Sequence, residues 1–152
     1  MGNAHDVMVP LQSLLDHTVM RILDDRQIQL QIDRLVEKND GESILIEFLY
    51  KYGFDGTQGM MKMKQLTDDF HCPGALFASN MVSLQLVSYV KGKIYILFVN
   101  PCCNSSASVR PIRHQYIKES REVIANEDQR LNTEIQSLRK LEWTEKVTVG
   151  YF

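Results

Sequence analysis

Between Pro10 and Val36, apolar residues recur at steps of three and four, the spacing of one face of an α-helix. Pro10 suits a first helical turn. The pattern predicts one long helix, or two helices with a break near Asp24 and Asp25, and Asn39, Asp40 and Gly41 form its stop signal. The apolar positions are Leu11, Leu14, Leu15, Val19, Ile22 and Leu23, followed by Ile28, Leu30, Ile32 and Leu35.

A second pattern, dense in β-branched and aromatic residues, begins at Ser43. The stretch SILIEFLYKY fits a helix that gives way to a strand. Further on, ALFASNMVSLQLVSYV and KIYILFVN predict two strands, and the Lys91, Gly92 and Lys93 between them predict a tight hairpin turn. The intervening MMKMKQLTDDFHCPG indicates another strand or an arm that ends in a Pro-Gly turn.

From Ile112 to Leu141 the chain is polar, with apolar residues at helical spacing, and we predict one long surface helix. The terminal EKVTVGYF alternates like a strand. A helical lead-in, three strands in an antiparallel meander, a crossover helix and a strand that rejoins the sheet make an α+β fold. The order β-β-β-α-β is also that of the first half of an RNase H-like fold.

Composition indicates a single soluble domain, because 44% of the 152 residues are hydrophobic and 24% are charged. The net charge of -2 argues against an overall positive field that would attract nucleic acid, although local basic clusters remain. An odd number of cysteines favours a reducing, intracellular setting. No apolar run reaches the roughly 18 residues that a membrane span requires, so we expect no membrane partner.

Asp55 is the main candidate for chemistry, because its carboxylate follows an apolar, strand-like run in YKYGFDGTQG. A carboxylate on such a strand can bind a divalent ion such as Mg²⁺, which takes one or two protein carboxylates together with phosphate oxygens and water. The alternative is an Asp-Gly turn, which needs no ion, and composition and spacing alone favour the turn.

Two stretches, KYGFDGTQGMMKMKQ and ILFVNPCCNSSASVRPIRHQYIKES, together with the helix predicted after them, resemble the Transib-type DNA transposases and the catalytic subunit of the V(D)J recombinase. These are DDE enzymes with an RNase H-like catalytic domain. The resemblance covers residues 43–152 and implies a partial, first-half RNase H-like domain there. Residues 1–42 match only in their helical character and form the lead-in.

The resemblance implies a magnesium-dependent endonuclease and strand transferase that acts in DNA recombination, with Asp55 as the first catalytic, metal-binding carboxylate. In the family, the second aspartate, the last glutamate and the zinc ligands follow the region matched here. Two-metal chemistry needs several ligands around ions about 4 Å apart. We therefore expect that this chain does not cleave DNA by itself. A nuclear location is implied, with a cytoplasmic one as the alternative.

Five basic residues are candidate nucleic-acid contacts. Arg110, Arg113 and Lys118 are expected at the start of the long helix, where backbone N–H groups also favour phosphate. Otherwise they cap the loop or pair with Glu119 and Glu122 across a helix turn. Lys62 and Lys64 alternate with methionines, so an extended chain would place both on one face, toward DNA or as guards of a solvated strand edge. His71 and Cys72 lack the companions of a zinc site, so no zinc is expected.

The leading hypothesis is a fragment or domesticated remnant of such a transposase, with weak DNA binding. The alternative is a non-enzymatic interaction module whose exposed last strand or helical lead-in pairs with a second chain, either another copy or a full-length relative. A third is an incomplete gene product with no function of its own. Half of an RNase H-like sheet leaves edges and one face uncovered, so we expect marginal stability or self-association.

Overall fold

The computed structural model of the chain describes residues 6–58 and 75–152. The fold is mixed α+β, as predicted. One sheet has the strand order β1-β5-β3-β2-β7-β6, and β4 also pairs with β3. The elements are β1 (Val7–Met8), α1 (Leu11–Leu23), α2 (Arg26–Lys38), β2 (Ile44–Gln58), β3 (Ala75–Val90), β4 (Lys93–Val99), β5 (Val109–Gln115), α3 (Arg121–Gln136), β6 (Leu141–Thr144) and β7 (Val147–Tyr151).

The lead-in forms two helices that break where the sequence predicted. Asp25 begins α2, and its side chain accepts hydrogen bonds from the N–H groups of Gln27 (2.8 Å) and Ile28 (3.3 Å). These bonds satisfy two donors that the first helical turn leaves unpaired. After α2, Asp40 and Gly41 adopt left-handed conformations with φ of 59° and 74°, so the chain turns sharply into β2.

Strands β2, β3 and β4 form the predicted antiparallel meander. The expectation that SILIEFLYKY begins as a helix was wrong, because all of it after Ser43 lies in β2. Lys91 and Gly92 have φ of 50° and 77°, the two positive values of a type I′ hairpin turn. After α3, β7 joins the sheet parallel to β2, with Ile44 opposite Val147. The predicted crossover and returning strand are therefore confirmed.

Strands β4 and β5 share one edge of β3, and the sheet forks where one replaces the other. β5 pairs with Phe77–Val82 of β3, whereas β4 pairs with Gln85–Val90. Asn100 closes the gap: its backbone N–H donates to the carbonyl of Leu84 and its side-chain amide to the carbonyl of Ser83, both at 2.9 Å.

The prediction of one helix from Ile112 to Leu141 was wrong at both ends. Residues up to Gln115 belong to β5, and α3 begins only at Arg121, after Ser120 accepts a hydrogen bond from the N–H of Val123 (3.2 Å). In sequence, Arg113 of β5 fits the pattern of a polar helix face. Its partner Asp6, however, lies 107 residues earlier, so the sequence near Arg113 does not reveal the pairing. The chain after α3 forms β6 rather than more helix.

Residues of the lead-in helices and of the sheet belong to one hydrophobic core. The predicted boundary between residues 42 and 43 lies in the connection between α2 and β2, which both contribute to this core. The even-numbered residues of β2 face the described helices, and the odd-numbered ones form what we call the open face. No helix among the described residues is long and apolar enough to cross a membrane. Buried core residues include Leu11, Leu15, Val19, Leu23, Ile32, Ile46, Phe48, Met81, Leu86, Ile112, Leu131 and Val149.

Candidate functional site

Asp55 lies inside β2, where its Cα is paired with that of Ala78 on β3. The Asp-Gly turn is therefore wrong, because antiparallel pairing continues through Gln58. Asp55 is exposed and lies on the open face, since the adjacent Phe54 packs against the core. The carboxylate is thus presented to solvent from a regular strand.

A groove of about 630 Å³ on the open face holds Asp55 together with Lys51, Asn80 and His114. Ala78 lies opposite Asp55 on one side and opposite His114 on the other. Because neighbouring strands are about 4.8 Å apart, the Cα atoms of Asp55 and His114 are separated by about 10 Å. The small alanine between them leaves room above the sheet for a ligand.

Among the described residues, Glu119 lies against Gly56, the residue after Asp55, but on the opposite face of β2 from the Asp55 side chain. Glu47 shares its face of β2 but lies eight residues earlier, about 26 Å along the strand. Glu42 precedes β2, and Asp68 and Asp69 lie outside the described residues. Within residues 6–58 and 75–152, no group of three or more His, Cys, Asp or Glu side chains could hold a metal ion.

The edge of β2 beside Asp55 is free of strand partners in the part of the chain that the structure describes. β7 runs parallel to β2 but reaches only to Phe48, which lies opposite Tyr151. Asp55 is about 23 Å farther along β2. Asp55 therefore occupies the end of β2 toward which β7 points.

The structure describes three of the five basic candidates, and two of these three lie on a strand instead of at the predicted helix start. Arg110 and Arg113 lie on β5 rather than at a helix start, and Lys118 is exposed just before α3. Lys62 and Lys64 lie outside the described residues. Phosphate contact by any of these side chains stays a prediction.

Arg113 belongs to a buried ion network centred on Glu127 of α3. Glu127 is only 2% exposed, and its carboxylate accepts hydrogen bonds from Ser79 Oγ (2.7 Å), Arg113 Nη1 (3.0 Å) and Arg130 Nη2 (2.6 Å). The other side of the Arg113 guanidinium donates to Asp6, with Nε 3.0 Å from Oδ1. The expected pairing of Arg113 with Glu119 or Glu122 is wrong, because other acids occupy its donors.

The network also anchors the start of α1. Arg130 pairs with Glu134, one turn along α3, and Glu134 Oε2 accepts the backbone N–H of Leu11 at 2.8 Å. Burial raises the pKa of Glu127, but hydrogen bonds from Arg130 and Ser79, together with the charges of both arginines, outweigh burial and lower that pKa. Glu127 therefore stays ionised inside the protein.

Sequence reasoning missed Glu127, Asn80 and His114. A signal for Glu127 was present, because it lies four residues before the core residue Leu131 and three before Arg130, which places an acid on the apolar stripe of α3 beside a cation. No local signal marks Asn80 or His114, since only strand pairing brings them beside Asp55.

Comparison with known proteins adds no relative to these observations. No protein-family model matches the chain, and no curated protein matches it significantly.

Proposed function

We propose that this chain carries the first half of an RNase H-like domain related to the Transib-type transposases and the V(D)J recombinase, with Asp55 as its metal-binding carboxylate. The observation that carries the proposal is the exposed Asp55 in the interior of β2, the strand that is antiparallel to β3 and parallel to β7. A crossover through α3 leads from the antiparallel strands to β7, which supports the proposal, although β5 before α3 and β6 after it are additional to the expected order.

The donor set around Asp55 fits one weakly held Mg²⁺. Its carboxylate and the side-chain oxygen of Asn80 line the same groove, and Mg²⁺ accepts such oxygen ligands while it keeps several waters. Bound there, Mg²⁺ would orient and polarise a DNA phosphate. The described residues do not fit two ions, because the groove lined by Asp55 contains no second described carboxylate and no group of three metal-ligating side chains is found among the described residues. We therefore expect no DNA cleavage by this chain alone.

A direct test is paramagnetic broadening by Mn²⁺, which replaces Mg²⁺ at oxygen sites. We expect the backbone signals of Gly53, Asp55 and Ala78 to broaden first and Asp55→Asn to abolish this selectivity. Asp33→Asn is the matched control, since Asp33 is exposed on α2. Broadening that begins elsewhere, or that persists in Asp55→Asn, would refute the metal assignment.

Activity and DNA binding are tested separately from metal binding. We expect an intact plasmid after incubation with the purified chain in Mg²⁺, and DNA binding that is weak and falls with added salt because phosphate contacts release counterions. Plasmid cleavage that is lost in Asp55→Asn would show that the catalytic site is more complete than we propose.

A protein-interaction role is the second candidate, favoured by an exposed apolar surface on β3 and β4. Tyr89, Ile94, Ile96 and Val99 are each more than half exposed, and β4 pairs with β3 alone among the described strands. The expectation that the last strand provides the edge was wrong, because β7 lies between β2 and β6. The lead-in packs one face against the core, with Ile28, Ile32 and Leu35 of α2 buried, and docking by its outer face stays a prediction.

Self-pairing of β4 makes a measurable difference in solution. Unpaired strand edges with apolar side chains associate readily. We expect the sedimentation coefficient of the chain to rise with concentration and Ile96→Lys to suppress this rise, whereas Thr133→Lys, at an exposed position on α3, does not. A monomer at all concentrations would argue against this role.

A further inference from the structure

A second groove, of about 650 Å³, lies on the helix side of the sheet, at the fork where β5 replaces β4 along β3. Ser83 and Asn100 mark the fork, Arg21 comes from α1, and Arg110 comes from β5. Arg110 is paired with Met81, a core residue, whereas Asp55 is paired with Ala78. Side chains alternate between the two faces of a strand, so Ala78 and Met81, three residues apart along β3, point to opposite faces. The two grooves therefore lie on opposite faces of the sheet.

The two guanidinium groups in this groove have no acidic partners in the part of the chain that the structure describes. No carboxylate of the described residues lies within ion-pair distance of Arg21 or Arg110, although Arg113 on the same strand binds two. Asp25 lines the groove, but its carboxylate accepts the first N–H groups of α2. Two neighbouring cations without counter-charges favour an anionic ligand.

His17 adds a third nitrogen group beside the pair. It precedes Arg21 by four residues on α1 and therefore shares its helix face. Arg110 Nη2 lies 3.3 Å from His17 Nδ1. A guanidinium can only donate, so this contact is a hydrogen bond when Nδ1 carries no proton. Arg110 is thus positioned by a side chain that brings no negative charge.

We propose that this groove binds a phosphate group, held by Arg21 and Arg110. Two planar guanidinium groups match the oxygens of a phosphate and form strong charge-assisted hydrogen bonds with it. The volume lies within the range of ligand pockets and leaves room for more than a free phosphate ion. The group can come from a nucleic-acid backbone or from a small phosphate compound. This groove opens on the opposite face from Asp55, although Val109 and Pro111 of β5 line both grooves.

The test titrates the chain with inorganic phosphate in one arm and with a short DNA duplex in the other, following the NMR signals of the His17 ring. We expect saturable shifts in at least one arm. In that arm, Arg21→Gln and Arg110→Gln weaken binding by about tenfold or more, as expected for loss of a charge-assisted contact. Arg34→Gln, an exposed arginine on α2 outside the groove, is the control for net charge.

The two arms identify the source of the phosphate group. Selective weakening in the DNA arm indicates backbone phosphates, and selective weakening in the phosphate arm indicates a small ligand; both support the site. No saturable binding in either arm, or equal weakening by Arg34→Gln, overturns it. If Arg110→Gln unfolds the chain, the exposed Arg21 decides the outcome. Asp55→Asn should leave this binding unchanged even if it abolishes Mn²⁺ binding.

Discussion

Replacement of Glu127 by alanine should be among the most destabilising single changes in α3. The carboxylate is buried and neutralises two arginines, with additional contacts to Ser79 Oγ at 2.7 Å and Arg130 Nε at 3.0 Å. Breaking a buried ion pair by removing one partner costs about 3–5 kcal/mol. We expect a value near the lower end, about 3 kcal/mol, because Arg113 keeps Asp6 and Arg130 keeps Glu134.

Urea unfolding followed by circular dichroism measures this loss as a change in midpoint at constant slope. The melting temperature should fall by about 6–12 °C, the shift expected of a domain of this size. Glu122→Ala is the control, because Glu122 is exposed in the first turn of the same helix and should cost less than about 1 kcal/mol. A loss for Glu127→Ala no greater than that of the control would refute the network's role in stability.

The same carboxylate predicts a pH dependence. The folded-state pKa of Glu127 is lowered from its ordinary 4.5, so the unfolded chain binds its proton more readily. The stabilisation is therefore fully present above pH 4.5 and is lost as the pH falls from there through the lowered folded pKa. Glu127→Gln should flatten the acid side of the stability curve, and an unchanged acid limb would contradict this assignment.

Two further substitutions test neighbouring contacts. A β-carbon at Gly56 would lie 2.8 Å from Cβ of Glu119, whereas one at Gly53 meets nothing within 4 Å. In urea unfolding, Gly56→Ala should therefore lower the free energy of unfolding by about 1–3 kcal/mol through overpacking. Gly53→Ala should be neutral or stabilising. Asp6→Asn should lower the free energy of unfolding by about 1–2 kcal/mol, because the hydrogen bond from Arg113 lowers the Asp6 pKa below 3.8 and so stabilises the folded state. Faster amide hydrogen exchange in β1 would report this loss. Unchanged exchange would show that the Asp6–Arg113 pair does not hold β1 in place.

Local signals predicted those parts of the fold that depend on neighbouring residues. The break near Asp25 and the turn at Lys91 and Gly92 follow from capping and from left-handed backbone, both encoded within a few residues. The Asp-Gly signal at Asp55 was overridden because β2 pairs with β3 as far as Gln58. Pairing with a strand that lies further along the chain decides whether Asp55 adopts a strand or a turn conformation more strongly than its local propensity does.

The candidate site was less predictable than the helices. Asp55 was found from its sequence context, but His114 joins it only through the register of β3 and β5. β5 was mistaken for helix because Arg113 pairs with Asp6 and Glu127, which lie 107 and 14 residues away, and not with acids one helical turn away. No pattern within a single segment contains that information.

The separation between Asp6 and Arg113 has a consequence for synthesis on the ribosome. The two residues are 107 positions apart, and Leu11 and Glu134 are 123 apart. At translation rates of about 5–20 residues per second, Asp6 waits about 5–20 s for its partner to emerge. During that interval the nascent α1 and α2 expose the apolar faces that later enter the core, so co-translational chaperones have a defined window in which to bind them.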